Sequence, residues 1–166
     1  MNAPERVGKV LVAVLLFSLS QQIVFCQNRL NKKKLMDNNS TKPIEVVRAF
    51  NAAMEKMDFE TALKYVSDTC EYTNGSLGTV YGHAGLRKVL EPFFSLMLDN
   101  KFVILREVAK DSVVFMERLD RHLLPTGWIE LPVTGVYEVH NGLITVYHDY
   151  FDLATIANQL PAPKNQ

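Results

Sequence analysis

The sequence predicts an α+β fold: helices first, then a curved mixed β-sheet that wraps around them as a cone and encloses an apolar pocket. Three observations predict it. Apolar residues between positions 43 and 97 recur mainly at helical spacing, those between 101 and 151 fall in runs rich in Val, Ile, Phe and Tyr, and one short strand-like stretch, CEYTNG, interrupts the helical half. With 166 residues the chain fits one domain, and at 48% apolar composition it can bury a core and leave room for a ligand.

Each element follows from local chemistry. Pro43 suits the first turn of a helix, and Val46, Phe50, Ala53, Met54 and Met57 extend it over 43–57. Asp58 caps a second short helix whose buried side is Phe59, Leu63 and Val66. CEYTNGSLGTVYG reads as a short strand and a glycine-rich turn region. GHAGLRKVLEPFFSLML reads as a third helix, with Leu86, Leu90, Phe93, Phe94 and Met97 inside and Pro92 as a kink point. KFVILREVAK, DSVVFMERLDRHL, GWIELPVTGVYEVHNG and LITVYHDYFDL then form an antiparallel meander. Its strongest hairpin signal is Asn141-Gly142, and Lys110-Asp111 offers a second tight turn. DLATIANQL closes the domain as a short helix capped by Asp152, and Pro161 and Pro163 end it.

This domain is placed at 43–160, followed by a tail over 161–166. Ahead of it, Arg6 and Lys9 precede an uncharged run from Val10 to Cys26 whose strongly apolar part is short. Residues 1–26 therefore read as a secretory signal peptide, with cleavage after Ser20 or after Cys26, and the domain as secreted or luminal. The alternative is an uncleaved membrane tether through 10–26. The positives at Arg29, Lys32, Lys33 and Lys34 would then leave the domain facing the cytosol. Residues 27–42 form a polar linker with sequons at Asn38 and Asn39. Formal net charge is zero and the domain has no basic stripe, which argues against nucleic acid as a partner. Two cysteines make no disulfide framework and no zinc spacing, and Cys70 reads as a small core residue.

The informative stretch is VVFMERLDRH, Val113 to His122. Residues i and i+2 of a strand share a face, so Arg118 and Asp120 lie with Val114 and Met116, while Val113, Phe115 and Leu119 line the other face. Both faces begin apolar, so the strand is covered and its ion pair has left water, which is costly unless the partners compensate. By the same rule Tyr72 and Asn74 share a face beside Cys70, and Leu143, Thr145, Tyr147, Asp149 and Phe151 share another. Two aspartates flanking one arginine can divide roles: one carboxylate takes a proton from water, the other holds a proton for a departing oxygen. Tyr and Asn side chains can hold that water. This is concerted general acid–base catalysis, with no covalent intermediate, metal or cofactor, and the carboxyls titrate as a coupled pair. Val114, Met116, Phe94, Met97, Tyr147 and Phe151 are expected to line the substrate pocket.

Tyr72-x-Asn74, Arg118-x-Asp120 and then Asp149 in HDYFD resemble, in order, pairing and strand context, the limonene-1,2-epoxide hydrolase family, which has the SnoaL-like, nuclear transport factor 2-like fold. The resemblance spans roughly residues 43 to 157. It implies that Asp149 deprotonates water, Asp120 protonates the epoxide oxygen, Arg118 bridges the carboxylates, and Tyr72 and Asn74 position the water. It also implies a small lipophilic epoxide as substrate, a vicinal diol as product, and a homodimer packed through the sheet. The hydrophobic leader departs from the bacterial pattern. Asn74-Gly75-Ser76 is a sequon, expected to escape modification because a pocket-facing asparagine is poorly accessible.

Plainer readings exist for each residue. Arg118 and Asp120 would serve as a structural ion pair, Tyr72 as core, and Asn74 as a turn residue. His148 alternates to the face opposite Asp149, His83 begins the third helix, and His122 sits near the strand end at the rim. Trp128 packs on the sheet or in a dimer. The competing functions are a secreted lipid-binding or matrix scaffold protein on the same fold, and an isomerase or cyclase. The arginine with two aspartates fits water activation better than the latter.

Overall fold

The computed structural model describes residues 42–160, together with Gln22, Gln27 and Arg29. The readings made on the leader, its cleavage sites, the basic run, the sequons at Asn38 and Asn39, and the 161–166 tail lie outside the described residues. Among the described residues no helix is long and apolar enough to cross a membrane.

The chain begins with helix α1 (Pro43–Glu55) and short helix α2 (Phe59–Leu63), then strand β1 (Val66–Asn74), a single turn of tighter helix (Gly75–Leu77), strand β2 (Thr79–Tyr81) and helix α3 (Gly82–Phe94). Strands β3 (Asp99–Lys110), β4 (Val113–Leu124), β5 (Gly127–His140) and β6 (Leu143–Tyr150) follow, and helix α4 (Leu153–Ala157) closes the domain. Pro43 stands in the first turn of α1, and the side chains of Asp58 and Asp152 accept from the backbone N–H groups of Thr61 and Ala154 as true caps. Asn141 and Gly142 adopt positive φ in the predicted turn, as does Asp111 in a turn over Asp111 and Ser112, one residue later than the expected Lys110-Asp111.

The six strands form one mixed sheet in the order β2-β1-β6-β5-β4-β3. All pairs are antiparallel except β1 with β6. The sheet does not wrap into a cone, and this corrects the expected architecture. It is open, neither closed nor strongly curled, and its edges β2 and β3 do not pair. Closure needs edge strands that can meet in staggered register; β2 has three residues to offer and β3 has twelve. Helices therefore supply the wall that sheet curvature was expected to supply.

One face of the sheet is the inner one. On β4, Val114, Met116, Arg118, Asp120 and His122 are buried in strict alternation, and on β5 Leu131, Val133, Tyr137 and Val139 do the same. α1 lays Val46, Val47, Phe50, Ala53 and Met54 on that face. The departures from the expected pattern are local. A bulge leaves Thr145 out of the β5–β6 ladder, so Ile144, rather than Leu143 and Thr145, joins Tyr147 and Asp149 on the inner face. Val66 is buried as predicted but opens β1 instead of extending α2, and α3 ends at Phe94, leaving Leu96 exposed.

Candidate active site

A cavity of about 180 Å³ lies between the inner sheet face and helices α1, α3 and α4. Its helical wall is apolar, with Leu90, Phe93, Phe94 and Ile156, and its floor holds Arg118, Asp120 and Asp149. The three charged residues come from the middle of β4 and the end of β6, and all are buried: Arg118 is 1% exposed, Asp120 5% and Asp149 7%.

Arg118 is the hub. Its Nε donates to both oxygens of Asp120, at 2.8 and 3.1 Å, and its Nη2 donates to Asp149 Oδ1 at 2.7 Å. Nη1 donates to the Tyr137 hydroxyl at 2.7 Å, and Nη2 reaches Tyr147 at 3.4 Å. The Tyr147 hydroxyl in turn donates to Asp149 Oδ2. Phe102 stacks on the guanidinium, 5.2 Å from ring centre to Cζ. Behind it sits Gly135, where an added Cβ would stand 2.4 Å from Nη1 and 2.7 Å from the Tyr137 hydroxyl. The guanidinium thus occupies space that any other residue at 135 would fill.

Tyr72, Tyr147 and Tyr137 are register partners across β1, β6 and β5 and stack in series, at 4.6 and 4.8 Å. The far end of the row is tied down: Tyr137 donates to Asn51 Oδ1 at 3.4 Å, and the Asn51 amide contacts Met116 Sδ at 3.2 Å. Asn74 pairs in register with Asp149 across the parallel β1–β6 ladder. It is half-buried, and Tyr72, Asn74 and Asp149 all line the cavity.

Burial pushes the Asp120 carboxyl up to about 7; Arg118 pulls it down and Asp149 pushes it further up. Burial opposes the charge on Arg118, but Asp149, Tyr137, Tyr147 and Asp120 hold the guanidinium well above its ordinary value. Burial likewise raises Tyr72, Tyr137 and Tyr147, so their hydroxyls keep their protons. One cation faces two carboxyls in a buried site, and Asp120, raised to about 7, is the one that can hold a proton around neutral pH. The arrangement can move one proton in at one carboxyl and one out at the other.

The five residues singled out in the sequence therefore meet at one cavity. Phe94, Tyr147 and Phe151 line it too. Val114 and Met116 lie in the core under α1, and Met97 is buried away from the cavity lining. Sequence reasoning missed Tyr137, Asn51 and Gly135. A glycine inside a strand pattern signals close approach of another group, and GVY offered that signal. Cys70 is a core thiol that burial pushes up to about 12, and His148 pairs with Glu71 at 3.0 Å, off the site.

A family model described as the limonene-1,2-epoxide hydrolase catalytic domain matches residues 41–162. The chain is 29% identical over 107 residues to Epoxide hydrolase EphG of Mycobacterium tuberculosis, covering 64% of this chain and 71% of that one. The structure of an M. tuberculosis epoxide hydrolase of the same type superposes with a TM-score of 0.63 at 28% identity, covering 72% of this chain and 89% of that one. A nuclear transport factor 2-like protein of unknown function from Burkholderia pseudomallei superposes with a TM-score of 0.65 at 17% identity, over 74% of this chain and 99% of that one, a likeness of fold alone.

Proposed function

Because this chain belongs to the limonene-1,2-epoxide hydrolase family, we propose that it adds water to a small lipophilic epoxide and gives a vicinal diol in one step. The observation that supports this reading is a single buried arginine bridging two carboxyls, one of them holding a proton near pH 7, on the floor of an apolar cavity. Water held by Tyr72 and Asn74 gives a proton to Asp149 as its oxygen bonds to an epoxide carbon. The carbon–oxygen bond of the ring breaks, and the electron pair stays on the departing oxygen, which takes the proton of Asp120. Arg118 fixes both carboxyls and stays charged throughout. Solvent water returns the proton from Asp149 to Asp120 after the diol leaves.

The outer sheet face supports a homodimer as part of this reading, since Val103, Val108 and Phe115 stand exposed there between 41 and 62%. The leader, read as a cleaved signal peptide, would deliver the domain to the secretory pathway.

The test uses lipophilic epoxides in water labelled with heavy oxygen, with Asp120→Asn and Asp149→Asn beside the parent. Labelled diol from the parent and a loss of roughly 10²-fold or more in each variant support the mechanism. A folded parent that makes no diol from any epoxide would sink it and turn attention to bound lipids.

A further inference from the structure

His122 is a polar residue of the cavity wall that the proposed reaction does not use. It continues the inner row of Arg118 and Asp120 on β4, is 4% exposed, and lines the cavity. Its Nδ1 lies 2.8 Å from Asn100 Oδ1, and Asn100 Nδ2 lies 3.1 Å from the backbone oxygen of Met54. That oxygen can only accept. The Asn100 amide nitrogen must therefore donate to it, Oδ1 must face the ring, and His122 Nδ1 must bear the hydrogen it donates to Oδ1. The imidazole is thus the Nδ1–H tautomer, and Nε2 is left with a bare lone pair.

Two further observations direct that lone pair. Phe93 meets the ring edge-on at 5.1 Å and 78°, which helps fix its plane. Nε2 has no hydrogen-bond partner among the described residues, yet no buried side-chain nitrogen or oxygen there is sealed off without one. Nε2 is therefore not sealed in, and the cavity that His122 lines is the space it can serve. Burial, with Arg118 nearby, brings the imidazolium down to about 4, so at neutral pH the ring accepts hydrogen bonds there.

We propose that His122, locked by Asn100, is a specificity-determining acceptor for a hydroxyl on the substrate, so that this pocket prefers epoxides that carry a hydroxyl set back from the epoxide ring. The inference rests on the epoxide hydrolase reading. His122 lies one i, i+2 step beyond Asp120, which sets the hydroxyl roughly 7 Å from the reacting oxygen. An apolar group of the same size would desolvate Nε2 and give it no partner, a cost the hydroxyl avoids.

The experiment compares two probes on one carbon frame, the epoxide of α-terpineol and the epoxide of menthene, which differ by one hydroxyl. The parent is expected to favour the hydroxylated epoxide in kcat/KM by about tenfold. His122→Phe should collapse that ratio towards one, and His122→Gln, which offers an amide oxygen, should restore part of it. A parent ratio near one, or a ratio that His122→Phe leaves unchanged, overturns the inference while leaving the hydrolase reading intact. If the parent hydrolyses neither probe, the two epoxides give no ratio, and the wider epoxide panel decides the hydrolase reading. The nitrogen resonance of His122 then decides the hydroxyl site, as it does if the variants do not fold. Added α-terpineol should shift Nε2 in the parent while menthene leaves it unmoved, and no shift with α-terpineol overturns the inference.

Discussion

Arg118 and Arg121 leave the same strand three residues apart and each meets a carboxylate at 2.8 Å, yet the two pairs differ in every other respect. An odd separation in a strand sends them to opposite faces. The Arg121 side chain is 35% exposed, Glu130 opposite it is 47% exposed, and the guanidinium rests on Trp128 at 5.1 Å. Water screens that pair, and such pairs contribute little. Arg118 is buried, and its charge is tolerated because Asp120, Asp149, Tyr137 and Tyr147 all accept hydrogen bonds from it. Distance does not rank the two pairs; burial and the number of satisfied partners do.

The largest expected effect separates these arginines directly. Arg118→Met leaves two buried carboxyls without their cation, and urea unfolding should show a loss of about 3–5 kcal/mol together with loss of turnover. Arg121→Met should lose less than about 1 kcal/mol. Equal losses would erase the contrast between the faces.

Gly135→Ala comes next, because it touches the buried arginine without changing any charge. The added methyl meets Nη1 and the Tyr137 hydroxyl, both held by other bonds, so stability should fall by about 1–3 kcal/mol. Displacement of Arg118 should lower kcat more than it raises KM. Wild-type kinetics in this variant would show that the guanidinium has room to move.

The pH dependence sharpens the comparison further. Asp120 stands at about 7 in the fold against an ordinary value of 3.8. A carboxyl raised on folding contributes stability that is complete below its unfolded value and lost as pH rises through its folded one. Asp120→Asn cannot ionise. Its melting temperature relative to the parent should therefore rise between about pH 4 and pH 7. The same ionisation should make parent turnover fall as pH climbs through about 7, since the acid loses its proton. Parallel melting curves for the two proteins would contradict the raised value.

The smallest effect belongs to the outer face. A double-mutant cycle on Arg121 and Glu130 should return roughly 0.2–1 kcal/mol at low salt and fall towards zero as salt rises. A coupling that persists in high salt would mean that another surface covers the outer face in solution, as the proposed dimer would.

Much of this was legible in sequence where the physics is local. Asp58 and Asp152 cap because a short acidic side chain before a helix reaches its first free N–H groups. The period of two placed Arg118 with Asp120, and Tyr72 with Asn74, on common faces. The same rule failed on β6, where the bulge at Thr145 turned Leu143 outward and Ile144 inward, because nothing in LITVYHDY marks where one residue drops out of a ladder. His122 was placed at the rim by its position near the strand end; Asn100 and Met54, distant in sequence, draw it into the wall.

By itself the sequence determined the α+β class, the Asn141-Gly142 turn, the caps and which of Tyr72, Asn74, Arg118 and Asp120 share a strand face, since each depends on neighbours a few positions away. Only the tertiary structure decided that β1 lies parallel beside β6 and brings Asn74 to Asp149, that Gly135 vacates space for Arg118, and that the sheet stays open with helices as its second wall. Those facts depend on which distant strands pair and in what register, and strands of twelve and three residues at the edges could not close the cone that local pattern alone allowed.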